Sequence, residues 1–279
     1  MSSPDARPFL RWAGGKAWLA RRIHDFVPRD GPNAYFEPFL GSGAVFFALQ
    51  PERAHLSDAN TELINAFRCV RNRPHELLDC LLDLPVDCRS YRRLRGEVLQ
   101  GSLERAARFL YLNRLAFSGI YRVNRQGQFN VPYGGDHRKL DYFSRDDRLA
   151  RASKVLKSAT LNACDFELAL EQAGDGDLIY CDPVYPGESG AERFGRYCDR
   201  PFSASDRRRL IGVLEDCVRR GAVVVLSWPR RPELPAMKFV KHRFDLARFT
   251  TVSAHAQKAT RVKETLTVLA LRKPKLGRG

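Results

Sequence analysis

The sequence predicts an α/β protein: an open, mostly parallel, Rossmann-like sheet interrupted by a mainly helical insertion. Three observations predict it. Short apolar runs end in acids at Asp58, Asp165 and Asp182, and they alternate with helical stretches, the rhythm of βαβ units. A tight glycine turn, Gly41-Ser-Gly43, joins the first strand to an apolar helix. Between residues 62 and 158 the pattern changes to helical periodicity (Leu77, Leu78, Leu81, Leu82; later Ala106, Phe109, Leu110, Leu112) with few β-branched residues.

The chain opens with Phe9-Leu-Arg-Trp-Ala-Gly-Gly-Lys16 and a helix through Phe26. Paired glycines before a helix let backbone N–H groups approach a ligand, and Lys16 adds a positive charge. Residues 34–38 then read as a strand, followed by Phe39-Leu-Gly-Ser-Gly43 and an apolar helix. Gly41 and Gly43 allow a sharp turn with a nucleoside against the backbone. The full G-x-G-x-x-G is absent, so no pyrophosphate is implied. The second strand, Ala54-His-Leu-Ser-Asp58, ends in an acid of the kind that holds ribose hydroxyls, and Asn60 starts the next helix. A nucleoside cofactor without a diphosphate fits both features, and S-adenosylmethionine answers that description. A structural turn with a capping aspartate is the competing reading.

The insertion carries much of the charge. The chain has 47 Lys+Arg against 32 Asp+Glu, a net charge of +15. Residues 68–157 hold 19 basic and 10 acidic residues, a surplus of 9. Such an excess attracts polyanions, above all nucleic acid. Within it, the turn-rich stretch from Arg114 to Gly135 interleaves Arg122 and Arg125 with Tyr121, Asn124, Gln126 and Asn130. Arg, Asn and Gln suit base edges, while Arg and aromatics can stack or wedge between bases. A plain hairpin with polar tips would look the same.

After residue 158 the α/β rhythm returns. Thr160-Leu-Asn-Ala-Cys-Asp165-Phe166 is a short strand ending in an acid. Leu178-Ile-Tyr-Cys181 is a buried strand delivering Asp182-Pro183-Val184-Tyr185 at its carboxyl end, where open α/β sheets bind ligands. A carboxylate, a fixed carbonyl and a ring suit the gripping of a flat, amino-bearing base. An amphipathic helix runs from about Phe202 to Arg220 with Ser203 or Ser205 as N-cap. Gly221 stops it, residues 222–228 form a continuous apolar strand, and residues 265–271 form the last strand before a basic tail.

Composition excludes several classes. No apolar run approaches the roughly 20 residues that cross a bilayer. Seven scattered cysteines without Cys-x-x-Cys indicate reduced thiols, hence a cytoplasmic setting, and neither cysteine nor histidine spacing predicts a metal.

Taken together, these blocks resemble the Dam-type DNA adenine-N6 methyltransferases of bacteria and phages, from Phe9 to about Lys273. The matching pieces are Trp12-Ala-Gly-Gly-Lys16, Glu37-Pro-Phe-Leu-Gly-Ser-Gly43, Asp58-Ala-Asn60, Phe109-Leu-Tyr-Leu-Asn-Arg114, Gly127-Gln-Phe-Asn-Val-Pro132, Asp165-Phe-Glu167, Asp182-Pro-Val-Tyr185 and Arg261-Val-Lys-Glu264. The resemblance implies a seven-stranded methyltransferase domain (residues 1–61 and 159–279) with a target-recognition domain inserted at 62–158. It implies S-adenosylmethionine as cofactor, held by Trp12, Lys16, Phe39, Gly41, Gly43, Asp58, Asp165 and Phe166. It implies that Asp182, Pro183 and Tyr185 act on an adenine flipped out of double-stranded DNA, with Arg122, Asn124 and Arg125 in the segment that meets the duplex. The sequence leaves oligomeric state open, with a monomer as the default reading and a cognate restriction enzyme as a partner to look for.

Two departures stand out. The family has Asp-Pro-Pro-Tyr where this chain has Val184 at the second proline, and Ser227-Trp228-Pro229 replaces a common Ser-Asn pair. Val184 lifts a restriction on the Pro183 carbonyl. Lost rigidity of that kind costs roughly 0.4–1 kcal/mol, a few-fold in rate. Two further readings stay open on the sequence: a weakened or silent DNA-binding paralogue, and a methyltransferase acting on another amino group such as cytosine N4 or RNA.

Overall fold

A computed structural model describes residues 6–12, 16–27, 31–119, 121–124, 126–135, 137–183, 202–229, 236–250 and 260–272, with backbone alone at 118, 229, 247–250 and 260–263. Seven strands form one sheet in the order β3-β2-β1-β4-β5-β7-β6. They are β1 (Tyr35–Glu37), β2 (Ala54–Asp58), β3 (Ala159–Ala163), β4 (Leu178–Cys181), β5 (Val223–Pro229), β6 (Val240–Thr250) and β7 (Thr260–Leu269). The first five are parallel, and β7 runs antiparallel to both β5 and β6. From β1 the order departs one way through β2 and β3 and the other way through β4 and β5. Such a reversal opens a crevice at the carboxyl ends of β1 and β4. The expected Rossmann-like, mostly parallel sheet of seven strands is therefore present.

One strand was not anticipated. β6 alternates apolar Phe244 and Leu246 with charged Arg243 and Asp245, a pattern that keeps an edge strand soluble rather than continuously apolar. The final strand also differs from expectation: β7 starts at Thr260 and ends at Leu269, instead of spanning 265–271.

The helices are α1 (Ala20–His24), α2 (Ala44–Leu49), α3 (Thr61–Asn72), α4 (Pro74–Leu82), α5 (Cys88–Gly96), α6 (Ser102–Leu115), α7 (Arg148–Leu156), α8 (Phe166–Ala169) and α9 (Ala204–Arg219). Their starts follow local chemistry. Asn60 accepts the Leu63 N–H at 3.0 Å to cap α3, and Asp87 accepts the Ser90 N–H at 2.8 Å to cap α5. Ser203, rather than Ser205, caps α9 in a reciprocal box with Asp206. Among the described residues, no helix is long and apolar enough to cross a membrane.

Strand alternation sorts side chains into two cores. Phe36, Ile179, Cys181, Val224 and Leu226 pack with α8 and α9 on one face. Tyr35, Leu56, Leu178, Tyr180, Val225, Leu266 and Val268 face the other side, in a core that continues without a break into α3 to α7. Phe67 of α3 is fully buried there against Phe9 and Phe47. Truncating such a side chain to alanine costs about 3–5 kcal/mol. Because α3 packs on both β2 and α6, the helices α3 to α7 are braced directly against the sheet.

Candidate active site

The side chains that matter follow from strand parity. Tyr180 faces the larger core, so Asp182, two residues on, emerges on the same face just past the end of β4. Cys181 lies opposite Leu226 on β5, which brings Ser227 level with Asp182. Because β7 is antiparallel, its early residue Glu264 sits opposite Pro229, at the same carboxyl edge. Lys16, from the N-terminal segment, closes the group. Its Nζ lies 3.3 Å from Asp182 Oδ1 and donates to Glu264 Oε1. Lys16 and Glu264 are buried, and the Asp182 side chain is 20% exposed, open enough to meet a ligand.

Burial disfavours charge here, and the neighbours decide how much survives. Burial pushes the Asp182 carboxyl up to about 6, with Lys16 pulling it down, Glu264 pushing it up and the Ser227 hydroxyl pulling it down. Burial alone would lower the Lys16 ammonium, but the Asp182 and Glu264 carboxylates outweigh it and hold it above its ordinary value. The cluster is thus one ammonium shared by two carboxylates, a formal charge of −1.

A second set of groups lines the glycine turn. Gly41 and Gly43 both adopt positive φ, 49° and 66°. A Cβ on Gly41 would lie 2.9 Å from Cδ1 of Trp12, so only glycine admits the indole there. The Gly41 N–H donates to Asp58 at 3.0 Å, and the Asn60 N–H donates to the other oxygen at 2.9 Å. Asp58 therefore ties the turn to the end of β2. Burial raises it to about 6 against these two N–H groups, and its remaining lone pairs can still accept from hydroxyls. Glu37, at the end of β1, is fully buried and accepts the Tyr35 hydroxyl at 2.8 Å. Burial pushes Glu37 up to about 8, so it is largely neutral at pH 7.

Next to the turn stand Phe39 and Phe166, stacked at 5.6 Å, with Phe202 edge-on to both. Asp165 caps α8 by accepting the Glu167 N–H at 3.0 Å. Its other oxygen meets Arg209 at 2.8 Å, and that guanidinium lies 4.4 Å over the Phe166 ring. The predicted residues therefore fall into contiguous groups along one edge of the sheet: Lys16 with Asp182, Trp12 with Gly41 and Asp58, Phe39 with Phe166.

The third set sits on the insertion. Bridges Ala116↔Tyr133 and Val123↔Phe129 define a hairpin with Asn124, Gln126, Gly127 and Gln128 at its tip. Asn124 Oδ1 accepts the backbone N–H groups of Gln126 and Gln128, each at 2.9 Å, while Arg122 Nε donates to Asn130 at 2.7 Å. Arg122 and Asn124 thus belong to the hairpin and not to the carboxylate cluster. Trp12 connects the two, stacking on Tyr121 at 5.1 Å while it covers Gly41. Arg125, Val184, Tyr185 and the paired glycines Gly14 and Gly15 lie outside the described residues.

Sequence reasoning missed three residues here. Glu264 and Glu37 appeared only inside matching blocks, without a role; an acid closing the apolar run Tyr35-Phe36 was the available signal for Glu37, while Glu264, between Lys263 and Thr265, had none. Asn113, also buried, exchanges two hydrogen bonds with the Arg11 backbone, at 3.0 and 2.7 Å, and so fixes the segment that carries Trp12 and Lys16. It too appeared only inside a matching block, Phe109 to Arg114, without a role.

Comparison with known proteins places this geometry. The chain is 36% identical over 231 residues to the Type II methyltransferase M1.LlaDCHI of Lactococcus lactis subsp. cremoris, covering 79% of this chain and 80% of that one. It is 32% identical over 280 residues to the DNA adenine methylase of Haemophilus influenzae, covering 96% and 95%. It is also 32% identical over 247 residues to the DNA adenine methylase of Escherichia coli K12, covering 83% and 87%. The family model of D12 class N6 adenine-specific DNA methyltransferase matches residues 12–260, a span that includes Lys16, Asp182, the glycine turn and the hairpin, while Glu264 lies just beyond it. The chain belongs to the D12 class of N6 adenine-specific DNA methyltransferases, and its activity is that of an adenine-specific DNA methyltransferase.

Proposed function

We propose that the protein transfers a methyl group from S-adenosylmethionine to N6 of an adenine extruded from duplex DNA, with Asp182 and Pro183 holding the amino group. The observation that carries this reading is Asp182 itself: a partly buried carboxylate at the topological switch point, held by Lys16 on the same carboxyl edge of the sheet as the glycine turn and Asp58.

An adenine amino nitrogen is a poor nucleophile because its lone pair is delocalised into the ring. The Asp182 carboxylate accepts one amino hydrogen and the Pro183 carbonyl the other, which favours a pyramidal nitrogen. A carboxyl group with a pKa near 6 is also a better proton acceptor than an ordinary aspartate while remaining ionised at pH 7.5. Tyr185 stacks on the extruded base, an extrusion that costs a few kcal/mol.

The residues present fit the cofactor. Asp58 offers acceptors for ribose hydroxyls, Phe39 and Phe166 offer faces for its adenine, Asp165 offers an acceptor for the ring amino group, and Trp12, Lys16, Gly41 and Gly43 close the cradle. The net negative carboxylate cluster suits a cation. When bound, S-adenosylmethionine supplies the electrophilic methyl; the protein positions and supplies the electrostatics.

Residues 62–158 form the target-recognition unit in this reading, with Arg122 and Asn124 on the hairpin and Arg125, next in sequence, as a further residue that meets the duplex. The default state is a monomer in the cytoplasm, where its DNA is. The Type II relative makes a cognate restriction enzyme the partner to look for. The test is direct. Wild-type protein should transfer label from S-adenosylmethionine to mixed-sequence duplex DNA. Asp182→Ala should still bind cofactor and DNA but transfer none. If Asp182→Ala keeps transfer within tenfold of wild type, the chemistry lies elsewhere.

A further inference from the structure

Lys16 is the only ammonium that touches Asp182 among the described contacts, yet it does not serve Asp182 alone. Glu264 accepts from the same Nζ, from a strand 248 residues away in sequence. A lone Lys16–Asp182 pair would be neutral. It would also leave a positive charge beside the place where a cationic methyl donor must come, because the base gripped by Asp182 has to meet that methyl. With Glu264 present the trio carries one net negative charge. The other titratable groups facing Asp182 are Tyr180, a phenol that burial keeps neutral, and Glu37, whose carboxyl is largely protonated near pH 7. Neither changes the count. The Ser227 hydroxyl is neutral as well.

We propose that Glu264 is a positioning residue that, by taking up the Lys16 charge, leaves the pocket negative and so selects the sulfonium cofactor over its neutral demethylated product. This rests on the reading that S-adenosylmethionine binds beside Asp182. It gives the buried triad a purpose beyond holding the strands together. A buried ion pair is weak evidence for stability, since desolvation offsets most of the attraction. A surplus charge, by contrast, acts differently on two ligands of nearly equal shape. The methyl donor is a sulfonium cation. S-adenosylhomocysteine, left after transfer, is the same molecule without the methyl and with a neutral thioether. The donor is therefore drawn in and the product let go by one electrostatic device.

The experiment measures Kd for both ligands, without DNA, on the full chain and on Glu264→Gln, Lys16→Met and the double variant. A unit charge acting across about 10 Å in a protein interior changes binding on the order of tenfold. Glu264→Gln takes the trio from −1 to 0. The preference for S-adenosylmethionine relative to S-adenosylhomocysteine should fall on the order of tenfold. Lys16→Met removes the shared cation, so one of the two adjacent carboxylates takes up a proton, the trio stays near −1 and the preference should change little. The double variant restores −1 and should return the ratio to near wild type. Because the readout is a ratio, a partly folded preparation does not alter it. Equal weakening of both ligands by Glu264→Gln, or a comparable fall of the ratio in both single variants, would overturn the proposal and leave Glu264 structural. Binding of neither ligand by the wild-type chain would instead sink the cofactor reading on which the proposal stands.

Discussion

Asp182→Asn should destroy transfer and at the same time stabilise the fold, and the two effects have one cause. Folding pushes this carboxyl from an ordinary 3.8 up to about 6, chiefly by burial. A raised folded-state value means that the unfolded chain gives up its proton first. Between about pH 4 and 6 the folded state binds more protons, so stability falls as pH rises, and above pH 6 the full cost is present. A rise of about 2 units corresponds to roughly 3 kcal/mol at 1.36 kcal/mol per unit. Asparagine has the shape of the protonated acid and carries no such cost. It can turn its carbonyl oxygen to Lys16, whose ammonium keeps Glu264. The variant should then exceed wild type by up to about 3 kcal/mol at pH 8 and match it near pH 4. At 2–4 °C per kcal/mol for a chain of this size, Tm should rise by roughly 5–10 °C at pH 8. Transfer should fall by at least about 10²–10³, the usual loss when a preorganised electrostatic group is removed. Calorimetry across pH 4–8, paired with a label-transfer assay, reads both. A variant no more stable than wild type at pH 8 would show that Asp182 is not an ionised, desolvated carboxylate, and retained transfer would show that it is not needed.

Other outcomes follow from the same geometry. Gly41→Ala puts a Cβ 2.9 Å from the Trp12 ring at a φ of 49°, where left-handed backbone costs about 1–2 kcal/mol before any clash. Cofactor affinity, read by titration calorimetry, should drop at least tenfold while DNA affinity holds; unchanged cofactor binding would remove the turn from the cradle. Glu37→Gln replaces a group raised to about 8 by its neutral analogue. Wild-type stability should go on declining from about pH 6 to 8, above the range where Asp58 and Asp182 contribute, and the variant should lose that part of the slope in thermal melts; parallel curves would refute a buried Glu37. Asn124→Ala frees the Gln126 and Gln128 N–H groups at the hairpin tip. Duplex affinity by fluorescence anisotropy should fall about tenfold, with S-adenosylmethionine affinity unchanged; equal loss of both would mean a folding defect instead. Val184→Pro should speed transfer by no more than a few-fold; a larger gain would mean that the Pro183 carbonyl is misdirected in the native chain.

What was readable in the sequence follows from how local each signal is. Acids that end apolar strands and glycines that must turn are read within ten residues, so Asp58, Asp182, Gly41 and Gly43 were accessible, as was the sheet they imply. The central parallel strands β4 and β5 are apolar on both faces and stand out against their surroundings. β6 is an edge strand with one polar face, and its alternation of Arg243, Phe244, Asp245 and Leu246 was a signal of period two that apolarity alone does not reveal. The Lys16–Glu264 bond joins the two ends of the chain, and only the antiparallel register of β7 brings Glu264 to the edge where Asp182 lies. Asn113 is similar. Its partners are the backbone atoms of Arg11, 102 residues away, and no pattern near Asn113 records them. Long-range polar contacts of this kind carry no periodic signature, whereas the face that a strand residue occupies does.

The central claim is that this carboxylate edge methylates adenine at N6. The full chain, incubated with mixed-sequence duplex DNA and methyl-labelled S-adenosylmethionine and then digested to nucleosides, should yield label in N6-methyldeoxyadenosine alone, and the Asp182→Asn variant should yield none. Label in N4-methyldeoxycytidine, or label that enters RNA while duplex DNA stays unmodified, would contradict it.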